Sequence, residues 1–215
     1  MYGRSSQRIG HPSLGLAEDT IATILDLIEA GWKATCAQGR LTQSSQETEI
    51  AGGLAGDMLV EKRRRKISYF RIEEEVGTRS SSLSTKPEGR IDIKIIYSFV
   101  EEEYFGVECK RVSGSQSDGL ARKYVEHGVL RFVTGKYSPG HGWAAMVGFV
   151  VDGNTKGAVE LISNSISLSK SETRLCKAWA QETRFGKRQH LYFTGHTQQH
   201  RSSVIGILHF FLPLN

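Results

Sequence analysis

The chain has only three cysteines in 215 residues, Cys36, Cys109 and Cys176. An odd number at wide spacing excludes a disulfide framework and offers no zinc-finger pairing. A reducing, cytoplasmic setting is the expectation. Long apolar runs are also missing. The longest, Ala144–Val151 and Val204–Leu214, are broken by Gly148 and by Gly206 and His209. Both fall short of the ~20 apolar residues of a membrane span, so no membrane partner is expected. Met1 to Pro12 is polar and lacks the apolar stretch of a secretory signal. There is no internal repeat and no phosphate-cradling glycine loop. Gly52-Gly53 and Gly56 fall inside a helical pattern, where they permit close packing or mark a bend. Cys176 has no histidine beside it that would make it a nucleophile. His196 and His200 are four apart but lack the intervening glutamate of a zinc-binding helix. With His190 nearby, they read as a loop that hydrogen-bonds or touches nucleic acid. His209, in an apolar segment, reads as a satisfied core residue.

What is present is ordinary for a globular chain: 39% hydrophobic and 24% charged residues. That length buries a substantial core without covalent staples. The formal charge of +5 permits a polyanionic partner. Its distribution says more. Lys62, Arg63, Arg64, Arg65 and Lys66 form an unbroken cationic run, while Glu73–Glu75 and Glu101–Glu103 lie elsewhere. The run reads either as phosphate contacts or as a solvated helix end whose cations suit the helix dipole.

Apolar spacing predicts a helix over Leu14–Trp32, stopping at Gly31, and a second from a Ser44 or Ser45 cap to about Arg63. The stripe of this second helix is Ile50, Ala51, Leu54, Ala55 and Met58. Strand-like segments follow at Ile67–Ile72, Gly89–Tyr97 and Tyr104–Val112, the first two separated by a serine-rich loop over Thr78–Pro87. A helix over Leu120–Thr134, a doubly covered strand at Met146–Val151 and a helix over Lys156–Leu168 come next. Glu172–Phe185 is ambiguous, and Leu191–Thr194 with Val204–Leu212 suggests a terminal strand pair. The order indicates an α/β domain, a mixed sheet flanked by helices.

The chemistry concentrates in Asp92, Glu108 and Lys110. Strand alternation puts Ile91, Ile93 and Ile95 on one face and Asp92 on the other. It likewise sets Phe105, Val107 and Cys109 against Glu108 and Lys110. If these strands pair, two carboxylates and an ammonium converge off the core. Such an oxygen pair suits a hard divalent cation, Mg²⁺ or Mn²⁺. The lysine would orient a metal-bound water or neutralise charge on a phosphate.

Asp92, the 15 residues 93–107 and then Glu108-Cys109-Lys110 resemble the PD-(D/E)xK nuclease signature, that of the restriction-endonuclease-like fold. The proline that precedes the family's aspartate is replaced by Ile91. The resemblance covers about residues 45–151. It implies Asp92 and Glu108 as metal ligands, with the Cys109 carbonyl joining them, and a glutamate from the preceding helix. Two glutamates compete for that place. At ~100° per residue, Glu47 falls within the apolar stripe and Glu49 on the solvated side, so Glu47 is the expected ligand. A carboxylate there could instead simply favour the helix dipole. The resemblance also points to Gln116, Lys123 and Tyr124 as site residues of the following helix.

The expectation is therefore a single restriction-endonuclease-like domain over 1–215, with its core over about 45–151 and a C-terminal extension over 152–215. Its expected function is metal-dependent hydrolysis of DNA phosphodiester bonds, through Asp92, Glu108, Lys110 and Glu47. Arg63, Arg64, Arg65 and Lys66 would touch DNA. A homodimer or a partner subunit would supply target choice, in a prokaryotic or phage setting such as restriction, repair or antiviral defence. The rival readings are a nuclease-fold subunit that binds nucleic acid or a protein without cutting, and a module for protein contacts alone.

Overall fold

A computed structural model describes residues 16–78, 89–98, 104–115, 119–138, 141–199 and 203–214. The loop over Thr78–Pro87, the acidic run at 101–103, Gln116 and His200 thus lie outside the described residues, apart from the backbone of Thr78. The elements in chain order are α1 (Glu18–Ala37), α2 (Glu47–Arg64), β1 (Arg71–Thr78), β2 (Gly89–Ile96) and β3 (Tyr104–Val112). Then come α3 (Leu120–Tyr124), a π-helical turn (Val125–Val129) and α4 (Leu130–Val133), three contiguous pieces of one helical segment. β4 (Trp143–Val150), α5 (Thr155–Leu168), β5 (Leu175–Gln181), β6 (Leu191–Thr197) and β7 (Val204–Pro213) complete the chain. No described helix is long and apolar enough to cross a membrane.

All seven strands form one mixed sheet in the order β1-β2-β3-β4-β7-β6-β5. The central pairs β3–β4 and β4–β7 are parallel, and the outer pairs are antiparallel. Parallel strands covered on both faces need continuous apolar sequence, and β4 and β7 have it. The stretch set apart as a C-terminal extension supplies three of the strands, and β7 lies inside the sheet, beside the central strand β4.

Two cores flank the sheet. On one side, α1 and α2 lay Ile24, Ile28, Ile50, Leu54 and Met58 over Ile93, Ile95, Val107 and Cys109. On the other, the α3–α4 segment and α5 lay Tyr124, Val129, Phe132 and Ile162 over Met146, Ile207 and Phe211. The anticipated stripe of α2 is fully reproduced as its buried face.

Several local expectations change. α1 runs through Gly31 to Ala37 instead of stopping there. The glycine is buried at the crossing of α1 and α2, where an added Cβ would lie 2.9 Å from Met58 Cγ and 3.0 Å from the Met58 nitrogen. It is there for close approach, not termination. Neither Ser44 nor Ser45 caps α2: its N-cap is Gln46, without a side-chain bond, and Ser45 Oγ accepts from the Thr42 N–H. The strand expected at Ile67–Ile72 begins at Arg71. Ile91 departs from Ile93 and Ile95 and packs into the core on the other face.

Gly31 and Gly56 give opposite expectations from the same substitution. Around Gly56 nothing lies within 4 Å of an added Cβ. Gly56→Ala should therefore stabilise by about 0.5–1 kcal/mol through helix propensity. Gly31→Ala forces α1 from α2 and should destabilise by about 1–3 kcal/mol. Urea unfolding of both variants measures the two signs.

Candidate active site

β2 and β3 pair from Ile96–Tyr104 to Ile93–Val107, and there the ladder stops. On the other side of β2 the ladder to β1 passes from Glu74–Ile93 to Val76–Ile91 and skips Glu75 and Asp92. Glu75 has φ 48°. The backbone is thus disturbed on both sides of Asp92, and β3 continues with one edge unpaired. Backbone polar groups buried without partners are costly, and along this edge side chains supply them. Asp92 Oδ2 accepts the Cys109 N–H at 2.7 Å. Glu47, in the first turn of α2, accepts the Arg111 N–H through Oε2 at 3.0 Å. The Cys109 carbonyl accepts from Lys110 Nζ at 2.7 Å.

Lys110 Nζ gathers the site. Besides that carbonyl it donates to Glu47 Oε1 and to Glu108 Oε1, each at 2.8 Å. Glu108 Oε1 accepts a second cation, Arg131 Nη1, also at 2.8 Å. Arg131 Nη1 bonds the Tyr137 hydroxyl at 2.7 Å, and that hydroxyl donates to the Arg90 carbonyl of β2. Glu108 is completely buried, and among the described residues its Oε2 has no hydrogen-bond partner. Glu108 and Lys110 are therefore sunk into the protein, not projected off the core as strand alternation alone suggested, while Glu47 and Arg131 reach the surface with about a third of their side chains exposed.

Three carboxylates, Glu47, Asp92 and Glu108, face two cations, Lys110 and Arg131. The excess is one negative charge in a poorly solvated place. Burial and the neighbouring Asp92 charge push the Glu108 carboxyl up to about 7, against the pull of Lys110 and Arg131. Burial also raises Asp92, opposed by Lys110 and the Cys109 N–H. For Lys110, burial works against the ammonium, but Glu108, Glu47 and Asp92 prevail and raise its pKa. The lysine is a firm cation, and Glu108 is the group that gives way.

The donor set can be tested against a hard cation. Among the described residues, no three His, Cys, Asp or Glu side chains are arranged as a ready metal site. The reason lies in the geometry: the oxygens of Glu47, Glu108 and Cys109 all point at the Lys110 ammonium. All of them are oxygens, one carboxylate oxygen of Glu108 is left over, and the charge is one short of balance. These residues fit Mg²⁺ or Mn²⁺, which take oxygen ligands.

The structure brings Glu47, Asp92, Glu108, Cys109 and Lys110 together. It leaves Glu49 exposed on the far side of α2, as helical geometry predicts. Arg63, Arg64, Arg65 and Lys66 stand apart. Glu47 begins α2 and Arg64 ends it, so at 1.5 Å per residue they are roughly 25 Å apart. Glu61 ties down Arg64 and Arg65, and Lys62 bonds the Ile67 carbonyl. Tyr124 is buried against His209 and does not line the site, and Lys123 makes no contact there.

His196 is corrected from loop to core: it is a buried residue of β6. Its Nδ1 must donate to the Thr173 carbonyl, which only accepts. Its Nε2 then accepts the Thr194 hydroxyl, which accepts His209 Nε2–H, and His209 Nδ1 accepts the Tyr124 hydroxyl. One direction of donation runs through four side chains and satisfies all of them. His209 is the satisfied core residue expected from the sequence. Sequence reading gives Arg131 only as one of several cations, with Arg111, Arg122 and Lys123, that could extend a phosphate-contacting surface, and misses its bond to Glu108. Nothing local ties the arginine to a glutamate 23 positions away.

Comparison with family models, with curated proteins and with solved structures found no match to the chain.

The raised Glu108 pKa has a sign. The folded protein holds this proton more tightly than the unfolded chain, so the stabilisation is complete below the ordinary value of 4.5 and is lost as pH rises through about 7. Glu108→Gln lacks that dependence. Its stability relative to the native protein should grow between pH 5 and pH 8, by about 2–3 kcal/mol at 1.4 kcal/mol per pKa unit. The difference between the two melting curves is the measurement. His196 and His209, held neutral by burial, bend both curves equally the other way at acid pH. A constant difference contradicts a shifted Glu108.

Proposed function

We propose that the chain is a metal-dependent nuclease of the PD-(D/E)xK type, on a restriction-endonuclease-like variant of the α/β/α architecture, and that it hydrolyses phosphodiester bonds in DNA. One observation carries the reading. The residues singled out by the spacing of the signature meet at the unpaired edge of β3, and Glu47 joins them from α2.

Asp92 and Glu108, with the Cys109 carbonyl and Glu47, would hold Mg²⁺ or Mn²⁺. When bound, the ion would lower the pKa of a coordinated water and polarise the phosphate. The Cys109 N–H fixes the Asp92 carboxylate in place. Lys110 stays protonated among carboxylates, so it acts as a hydrogen-bond donor and fixed positive charge, not as a base. Its three N–H groups hold Glu47, Glu108 and the Cys109 carbonyl, and its charge would offset the charge on the pentacoordinate phosphorus. The water oxygen would bond to phosphorus as its proton passes to solvent, the bridging P–O bond would break with the leaving oxygen taking a proton from solvent, and no protein atom would become covalently attached. Restriction, repair or antiviral defence in a prokaryotic cytoplasm suits such an activity. A second copy or a partner subunit would supply target choice.

A second reading, a subunit of the same fold that binds nucleic acid without cutting, is favoured by one feature. Lys110 and Arg131 both hold Glu108 Oε1, and the ligand oxygens converge on an ammonium.

Plasmid DNA incubated with Mg²⁺ or Mn²⁺, against a chelator control, separates the two. Nicking or linearisation that needs the metal is expected, and Asp92→Ala and Lys110→Ala should each lower it at least about 100-fold. Binding without cleavage supports the second reading. Titration of metal gives a further expectation: Glu47→Gln raises the concentration needed for half-maximal cleavage, and Glu49→Gln leaves it unchanged.

A further inference from the structure

A phosphodiester approaching this site meets three carboxylates and needs a cation with hydrogen-bond donors to spare. Lys110 has none. An ammonium has three N–H groups, and they go to Glu47, Glu108 and the Cys109 carbonyl. The cationic run lies at the far end of α2. Arg111 turns its Nη2 to the Gln43 carbonyl at 2.6 Å.

Arg131 differs from all of these. A guanidinium carries five N–H groups in a rigid fork. A single nitrogen, Nη1, makes both of its bonds, to Glu108 and to the Tyr137 hydroxyl. Among the described residues Nε and Nη2 make no hydrogen bond, and 32% of the side chain is exposed. The group is nevertheless held still. It lies over the Tyr137 ring at 5.4 Å, and Tyr137 is fully buried and tied to Arg90, two residues before Asp92. Gly128, in the π-helical turn, lets this helical segment sit tightly on the sheet: an added Cβ would collide with Met146 Cε.

We infer that Arg131 is a further catalytic residue, whose free guanidinium edge takes hold of a phosphate of the nucleic-acid backbone beside the bond to be cut. The inference rests on the nuclease reading and assigns within it the contact that positions the substrate. Arginine suits the task because its fork matches two phosphate oxygens at once.

The experiment is cleavage of a short DNA duplex in which one phosphate at a time is replaced by an uncharged methylphosphonate. The native protein is compared with Arg131→Ala and Arg131→Lys, after circular dichroism confirms folding. Arg131→Ala should lower kcat/KM about 100-fold on the unmodified duplex. One methylphosphonate position should penalise the native protein by a similar factor and cost Arg131→Ala nothing more. Arg131→Lys keeps a charge beside Glu108 but loses the fork, and should remain at least about 10-fold impaired. If Arg131→Ala fails to fold, Arg131→Lys carries the phosphate scan. Equal penalties at every position in native and variant proteins overturn the assignment, as does full activity of Arg131→Lys. Either result leaves the nuclease reading standing. Absence of cleavage by the native protein overturns that reading, and this one with it.

Discussion

The site depends on an interrupted sheet. β2 leaves β3 after the Ile93–Val107 pair, yet β3 runs on for five more residues as an interior strand, paired on its other edge with β4. The Cys109 and Arg111 N–H groups and the Cys109 carbonyl then need partners that no strand provides. Asp92, Glu47 and Lys110 supply them. Each is held by a backbone group whose position the sheet already fixes, so the carboxylates are oriented by the fold itself. Repairing the ladder with a regular strand would remove the site.

Charge is the second constraint. The same groups that complete the β3 edge bring a surplus of negative charge into a region of weak solvation, where an uncompensated ion is expensive. Lys110 and Arg131 relieve most of it, and the Glu108 carboxyl relieves the remainder by holding its proton near neutral pH. A divalent cation would relieve it more completely. The pH dependence of the protein's stability and the proposed affinity for metal thus trace to one imbalance, and the Glu108 oxygen without a partner among the described residues is its visible mark.

Much of this was legible in the sequence because it rests on short periods. Alternation put Glu108 and Lys110 on one face of β3, and the helical angle chose Glu47 over Glu49. Both need only neighbouring residues. What depends on distant ones was not legible. Arg131 matters through Glu108, and Tyr137 through Arg90. Gly31 looked like a helix stop because its partner Met58 lies on another helix. His196 looked like loop because β6 alternates poorly beside Gly195. β5 is mostly exposed and has two register shifts, so no apolar rhythm announced it. Ile91 broke the alternation where β2 is distorted at Asp92, which is also where the charged cluster sits. The restriction-endonuclease-like reading is a proposal that rests on the signature alone, while the structure gives a mixed seven-stranded sheet with a helical layer on each face.

The two rims of that sheet are unlike ordinary strands. β1 carries Glu73, Glu74 and Glu75, the last in a left-handed conformation, and β5 slips twice against β6. Unpaired rims invite strands of other molecules, and charge or irregular backbone turns them away. A sheet that ended in two smooth, apolar rims would be prone to stack into fibrils. Among the described residues both rims of the sheet are thus guarded against that route.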